Sequence, residues 1–92
     1  MGKFIVELAP LAIRELKAHK KSGNKTSIKK LGKILKELST TPYEGTGKPE
    51  ALKYDLTGYW SRRINKKDRL IYKVYQEKVT VLILSAMGHY EK

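Results

Sequence analysis

The chain has 92 residues, 20 of them Lys or Arg against 9 Asp or Glu, for a formal net charge of +11. That length leaves room for one small domain with one core, and a composition 40% hydrophobic and 32% charged excludes wholesale disorder. With no cysteine and only the histidines His19 and His89, a disulfide framework, a thiolate nucleophile and a sulfur-ligated zinc are excluded, and neither metal nor cofactor is expected.

The opening stretch MGKFIVELAP lacks the charged, apolar and small-residue sections of a signal peptide. No apolar run reaches the ~18 residues of a membrane span, so the expected location is the cytoplasm, with no membrane spanned. KFIVEL, residues 3 to 8, reads as a short first strand. Pro10 suits a first helical turn, and Leu11, Ala12, Ile13, Leu16 and Lys20 continue a helix that Gly23 caps. A second helix begins at Asn24 or Thr26. Its apolar stripe is Ile28, Leu31, Ile34, Leu35 and Leu38, and its other face carries Lys29, Lys30, Lys33 and Lys36, a solvated surface or a phosphate contact.

STTPYEGTGKP, residues 39 to 49, is loop by its Pro, Gly and Thr content. Its GTGK is no nucleotide-binding loop, because Pro42 stands where that motif needs glycine and Pro49 where it needs Ser or Thr. Beyond it the pattern alternates with period two through ALKYDL, YWSRRI, RLIYKVY and KVTVLILSAM, strands of an antiparallel meander separated by TG, NKKD and QE. The predicted fold is α+β, with a short N-terminal strand and two helices packed on one face of an antiparallel sheet, in a single domain spanning residues 1–92.

The charge surplus suits a polyanion, which leaves nucleic acid, an anionic membrane surface or an acidic protein as partners. Strand alternation puts Trp60, Arg62 and Ile64 on one face and Tyr59, Ser61 and Arg63 on the other; Arg69, Ile71 and Lys73 likewise oppose Leu70, Tyr72 and Val74. Basic and aromatic side chains interleaved in this way can hold phosphates and stack bases, although Trp60 and Tyr72 serve equally as core. The residues alone leave Glu50 as an exposed loop carboxylate paired with Lys48 or Lys53.

PYEGTGKPEALKYDLTGYWSRRINKKDRLIYKV, residues 42 to 74, together with the closing HY, resembles the YoeB (Txe) group of RelE-type toxins of bacterial toxin–antitoxin modules. The series GKPE, LK, GYWSRRI, RLIY and HY in this order and spacing carries the likeness, and the helical half matches only in layout. The resemblance implies a RelE-like fold and a metal-independent, ribosome-dependent endoribonuclease that cuts mRNA in the A site of the 70S ribosome. It also implies an antitoxin, YefM-like with an acidic segment, that holds the toxin inactive. Operator DNA bound through that complex and a homodimer are further implied partners. By the same likeness Glu50 is the general base, Arg63 and Arg69 clamp phosphate, His89 is the general acid and Tyr90 orients or stacks on the substrate. Lys48, Lys53 and Arg62 are assigned to RNA contact. Two residues, Glu91 and Lys92, follow the HY pair where the family stops at or beside it.

The implied roles fit the chemistry of cutting RNA without a metal. The ribose 2′-OH must lose a proton, the leaving oxygen must gain one, and positive charge must meet the developing phosphorane. Imidazole titrates near ~6.5, so a useful fraction is protonated at neutral pH. Glutamate is a weak base whose strength must come from desolvation once substrate docks. Arginine binds phosphate oxygens in pairs. The alternative function is a basic RNA- or ribosome-binding module that cuts nothing.

Overall fold

A computed structural model describes residues 3–88. Strand β1 (Ile5–Leu8) leads into helices α1 (Pro10–Ser22) and α2 (Lys25–Leu38), followed by strands β2 (Glu50–Ala51), β3 (Tyr59–Arg63), β4 (Arg69–Tyr75) and β5 (Thr80–Ser85). The strands form one sheet in the order β1-β5-β4-β3-β2. The predicted meander from β2 to β5 is antiparallel throughout, and β1 joins it at the far edge, parallel to β5. The sheet is therefore mixed, because α1 and α2 carry the chain across one face before the meander begins.

Local signals set the helix ends. Pro10 occupies the first turn of α1, where its missing N–H costs nothing, and Gly23 closes the helix in the left-handed region at φ 76°. Asn24 then caps α2, its side chain accepting from the Ser27 N–H at 3.1 Å. On α2 the stripe turns Leu31, Ile34 and Leu38 fully inward, with Leu35 packed beside them. On α1 the inward residues are Ala12, Leu16 and His19, at four- and three-residue steps, while Leu11 and Ile13 flank that row and are over 40% exposed. These residues meet Ile64, Leu70, Tyr72, Val81, Ile83 and Ala86 to form the core. Trp60 packs at its margin with its ring 5.1 Å from that of Tyr43, and Tyr72 is completely buried; both are core residues.

ALKYDL departs from the predicted strand. The ladder with β3 is short: Glu50 and Ala51 lie opposite Ser61 and Trp60, the Leu52 N–H donates to the Tyr59 carbonyl at 2.8 Å, and the chain then turns through a short 3-10 segment, Tyr54–Leu56. The Thr57 hydroxyl and N–H both donate to the Tyr54 carbonyl, at 2.8 and 3.1 Å. Such local bonds compete successfully with a ladder at the edge of a sheet. The other face of the sheet, opposite the helices, carries Ser61, Arg63, Arg69, Ile71 and Lys73, as alternation predicts.

Candidate functional site

The loop after α2 delivers Glu50, and a buried arginine shapes that loop. Arg62 is 0% exposed. Its guanidinium pairs with the Glu37 carboxylate of α2 at 2.8 Å and donates to the carbonyls of Thr41, Glu44 and Thr46 at 2.7, 2.9 and 3.4 Å, while its Nε donates to the Tyr72 hydroxyl at 3.1 Å. Tyr72 in turn donates to the Pro42 carbonyl at 2.6 Å. Burial pushes the Tyr72 phenol up from its ordinary value despite the guanidinium beside it, so it stays a donor. Burial works against the Glu37 carboxylate as well, but the Thr46 N–H and hydroxyl and the Arg62 guanidinium outweigh it and hold the carboxyl below its ordinary range.

This corrects the assignment of Arg62 to RNA contact. Every donor it has is turned into the protein, and no part of it reaches solvent. The signal was present in the sequence: the alternation that puts Trp60 on the core face puts Arg62 there too.

From this staple the loop runs to Gly47, whose carbonyl accepts the Arg63 N–H at 2.7 Å. Gly47 sits at φ +87°, and a Cβ there would lie 2.8 Å from the Arg63 carbonyl oxygen. Both features demand glycine. Lys48 follows, exposed and at φ 51°, and Glu50 then enters the sheet beside β3.

Three strands thus converge on one corner of the open face. Glu50 lies opposite Ser61, and Arg63, two residues further along the same face, lies opposite Arg69. Glu50 Oε1 is 3.9 Å from Arg69 Nη1, with 68% of the glutamate side chain and 26% of the arginine side chain exposed. Arg63 is exposed, and no carboxylate among the described residues pairs with it. Like charges directly across a ladder cost a few tenths of a kcal/mol or more. Two facing guanidiniums with one loosely held carboxylate therefore leave surplus positive charge at this corner. Lys48 and Lys53, both exposed, lie on either side of Glu50 in the chain.

Ser61 Oγ, in the middle of this face, is buried and has no hydrogen-bond partner among the described residues. Nothing in its sequence context signals that. The chain returns to the corner at Gly88, whose N–H donates to Asp68 Oδ1 at 2.9 Å and whose carbonyl accepts the Arg69 N–H at 3.1 Å. His89 and Tyr90 lie outside the described residues. Among the described residues no three His, Cys, Asp or Glu side chains gather as metal donors.

Residues 12–90 match the family described as the YoeB-like toxin of bacterial type II toxin-antitoxin system. Toxin YoeB of Escherichia coli O6:H1 is 45% identical over 67 residues, which cover 73% of this chain and 77% of that protein. Among solved structures, the YoeB dimer from Staphylococcus aureus is 37% identical with a TM-score of 0.79 over 96% of this chain and 99% of that one. The YoeB-YefM complex from Staphylococcus aureus gives 38% identity and a TM-score of 0.76 over the same shares, 96% and 99%.

Proposed function

Because the chain belongs to the YoeB-like family of type II toxin–antitoxin toxins, we propose that it is a ribosome-dependent endoribonuclease that cuts mRNA in the A site, with the corner of Glu50, Arg63 and Arg69 as its phosphate-binding and proton-accepting half. The observation that carries this reading is the convergence of one carboxylate and two opposed guanidiniums on the open sheet face, at the place where Gly88 leads toward His89.

In the proposed reaction Glu50 takes the proton of the ribose 2′-OH and the 2′-oxygen attacks phosphorus. The bond from phosphorus to the 5′-oxygen breaks, and His89 gives that oxygen a proton. The products are a 2′,3′-cyclic phosphate and a 5′-OH. Arg63 and Arg69 meet the charge that grows on the phosphorane oxygens. Docked RNA displaces the weak 3.9 Å contact between Arg69 and Glu50, which frees the carboxylate and dries it at the moment it must act as a base. Tyr90 orients the substrate, and Lys48 and Lys53 add positive potential.

The work lies in the cytoplasm, where ribosomes are. A net charge of +11 and the YefM-bound Staphylococcus aureus relative support neutralisation by a YefM-like antitoxin whose acidic segment covers the open face. The Staphylococcus aureus dimer likewise supports self-association, and operator DNA would be met through the antitoxin complex. The experiment is primer extension on translating ribosomes with the wild type, Glu50→Ala and His89→Ala. Both variants should bind ribosomes and leave mRNA whole. An undiminished cleavage ladder from both overturns the assignment, and a wild type that binds without cutting returns the chain to a binding module.

A further inference from the structure

Three polar side chains that this mechanism does not use converge on the backbone just before His89. Ala86 follows the last residue of β5, where the ladder stops supplying partners for its N–H and carbonyl. Both are taken up by α1. The Ala86 N–H donates to Glu15 Oε1 at 2.7 Å, and its carbonyl accepts from His19 Nε2 at 2.6 Å. A carbonyl can only accept, so Nε2 carries the proton. Glu15 and His19 are four residues apart, one above the other on the same helix face. Two residues on, Asp68 Oδ1 accepts the Gly88 N–H at 2.9 Å. Asp68 is itself fixed by Asn65, whose Oδ1 accepts the Asp68 N–H at 2.8 Å and whose Nδ2 donates to Ser27 Oγ of α2 at 2.9 Å. Ala86, His19 and Asp68 are at most 5% exposed.

A helix face that needed only to cover the sheet would be served by apolar residues. Polar groups placed there cost desolvation that their hydrogen bonds do little more than offset. What they provide instead is direction: residues 86 and 88 are tied to α1 and to the turn before Arg69, at sequence separations of 71, 67 and 20 residues. We infer that Glu15, His19 and Asp68 are positioning residues that fix the path of the chain into His89 and Tyr90, and act on cleavage only through those two residues. This rests on the ribonuclease reading above, since it takes His89 as the general acid.

A displacement of about 1 Å at a reacting group can cost about 100-fold in rate. Glu15→Ala should lower single-turnover cleavage on programmed ribosomes by roughly 10- to 100-fold without changing ribosome affinity. Glu15→Gln, which keeps an acceptor, should restore most of it, as should His19→Gln relative to His19→Ala. Wild-type activity in Glu15→Ala, or a Glu15→Gln variant as slow as Glu15→Ala, overturns the role. Amide hydrogen exchange tests the clamp apart from activity. The Ala86 and Gly88 amides should be protected in the wild type, and Glu15→Ala should release Ala86 while Tyr72 and Val81 stay protected. Rapid exchange at Ala86 in the wild type overturns the clamp whatever the chain does to RNA. Protected amides in a wild type that cuts no RNA refute the ribonuclease reading, and the catalytic role of the clamp with it.

Discussion

Arg62 and Arg63 are adjacent and chemically identical, and the structure gives them opposite surroundings, one buried and one exposed. Replacing Arg62 by Met keeps an unbranched side chain but strips Glu37, the carbonyls of Thr41, Glu44 and Thr46 and the Tyr72 hydroxyl of their shared donor. Removing one partner of a buried ion pair costs about 3–5 kcal/mol. The lower end fits here, because Glu37 keeps 24% of its side chain in solvent and water reaches it once the pair is broken. For a domain of this size each kcal/mol moves Tm by ~5 °C, so Arg62→Met should melt ~15 °C or more below the wild type. Arg63→Ala removes an exposed charge that faces Arg69, and its stability should stay within ~0.5 kcal/mol of the wild type, on the stabilising side if on either. Urea unfolding followed by circular dichroism measures both. An Arg62→Met variant within ~1 kcal/mol of the wild type, or an Arg63→Ala variant destabilised as much as Arg62→Met, refutes the division of labour.

The Glu37 carboxyl is held below its ordinary value, so the stability it contributes is fully present above the unfolded value near 4.5 and is lost as pH falls through the lowered folded value. The urea midpoint of Glu37→Gln should therefore lie below that of the wild type at neutral pH, and the gap should close as pH drops through that window; a gap that stays constant contradicts the sign. For RNA, Arg63→Ala and Arg69→Ala should each weaken binding and flatten the log–log salt dependence by up to ~0.7 per lost phosphate contact. An unchanged slope places both arginines outside the RNA footprint.

The order and type of the elements were legible because helix and strand periods are local properties. Leu31, Ile34 and Leu38 mark one side of α2, and RLIYKVY alternates as β4 does, with Leu70 and Tyr72 inward. What the sequence hid is set by distant partners. The parallel docking of β1 on β5 depends on a crossover, and Ala51 ends β2 because the turn through Tyr54 and Thr57 pulls the chain out of the ladder. Arg62 reads as one of a basic pair until Glu37, which lies 25 residues earlier, turns up beside it. Alternation sets it on the Trp60 face, and on a strand the face a residue occupies decides its burial ahead of its charge. The roles expected of Glu50, Arg63 and Arg69 rest on the family likeness, and the strand register explains how residues of three different segments share one corner. The ties that Glu15, His19 and Asp68 make to residues 86 and 88 span up to 71 residues, beyond any local pattern.

The most direct measurement is single-turnover cleavage of a defined mRNA on programmed ribosomes, with both new RNA ends identified chemically, for the wild type and Glu50→Ala. The account predicts a cut in the A site that leaves a 2′,3′-cyclic phosphate and a 5′-OH, and a rate in Glu50→Ala lower by about 100-fold or more. Cleavage that leaves a 3′-OH and a 5′-phosphate, or a Glu50→Ala variant that cuts at the wild-type rate, contradicts it.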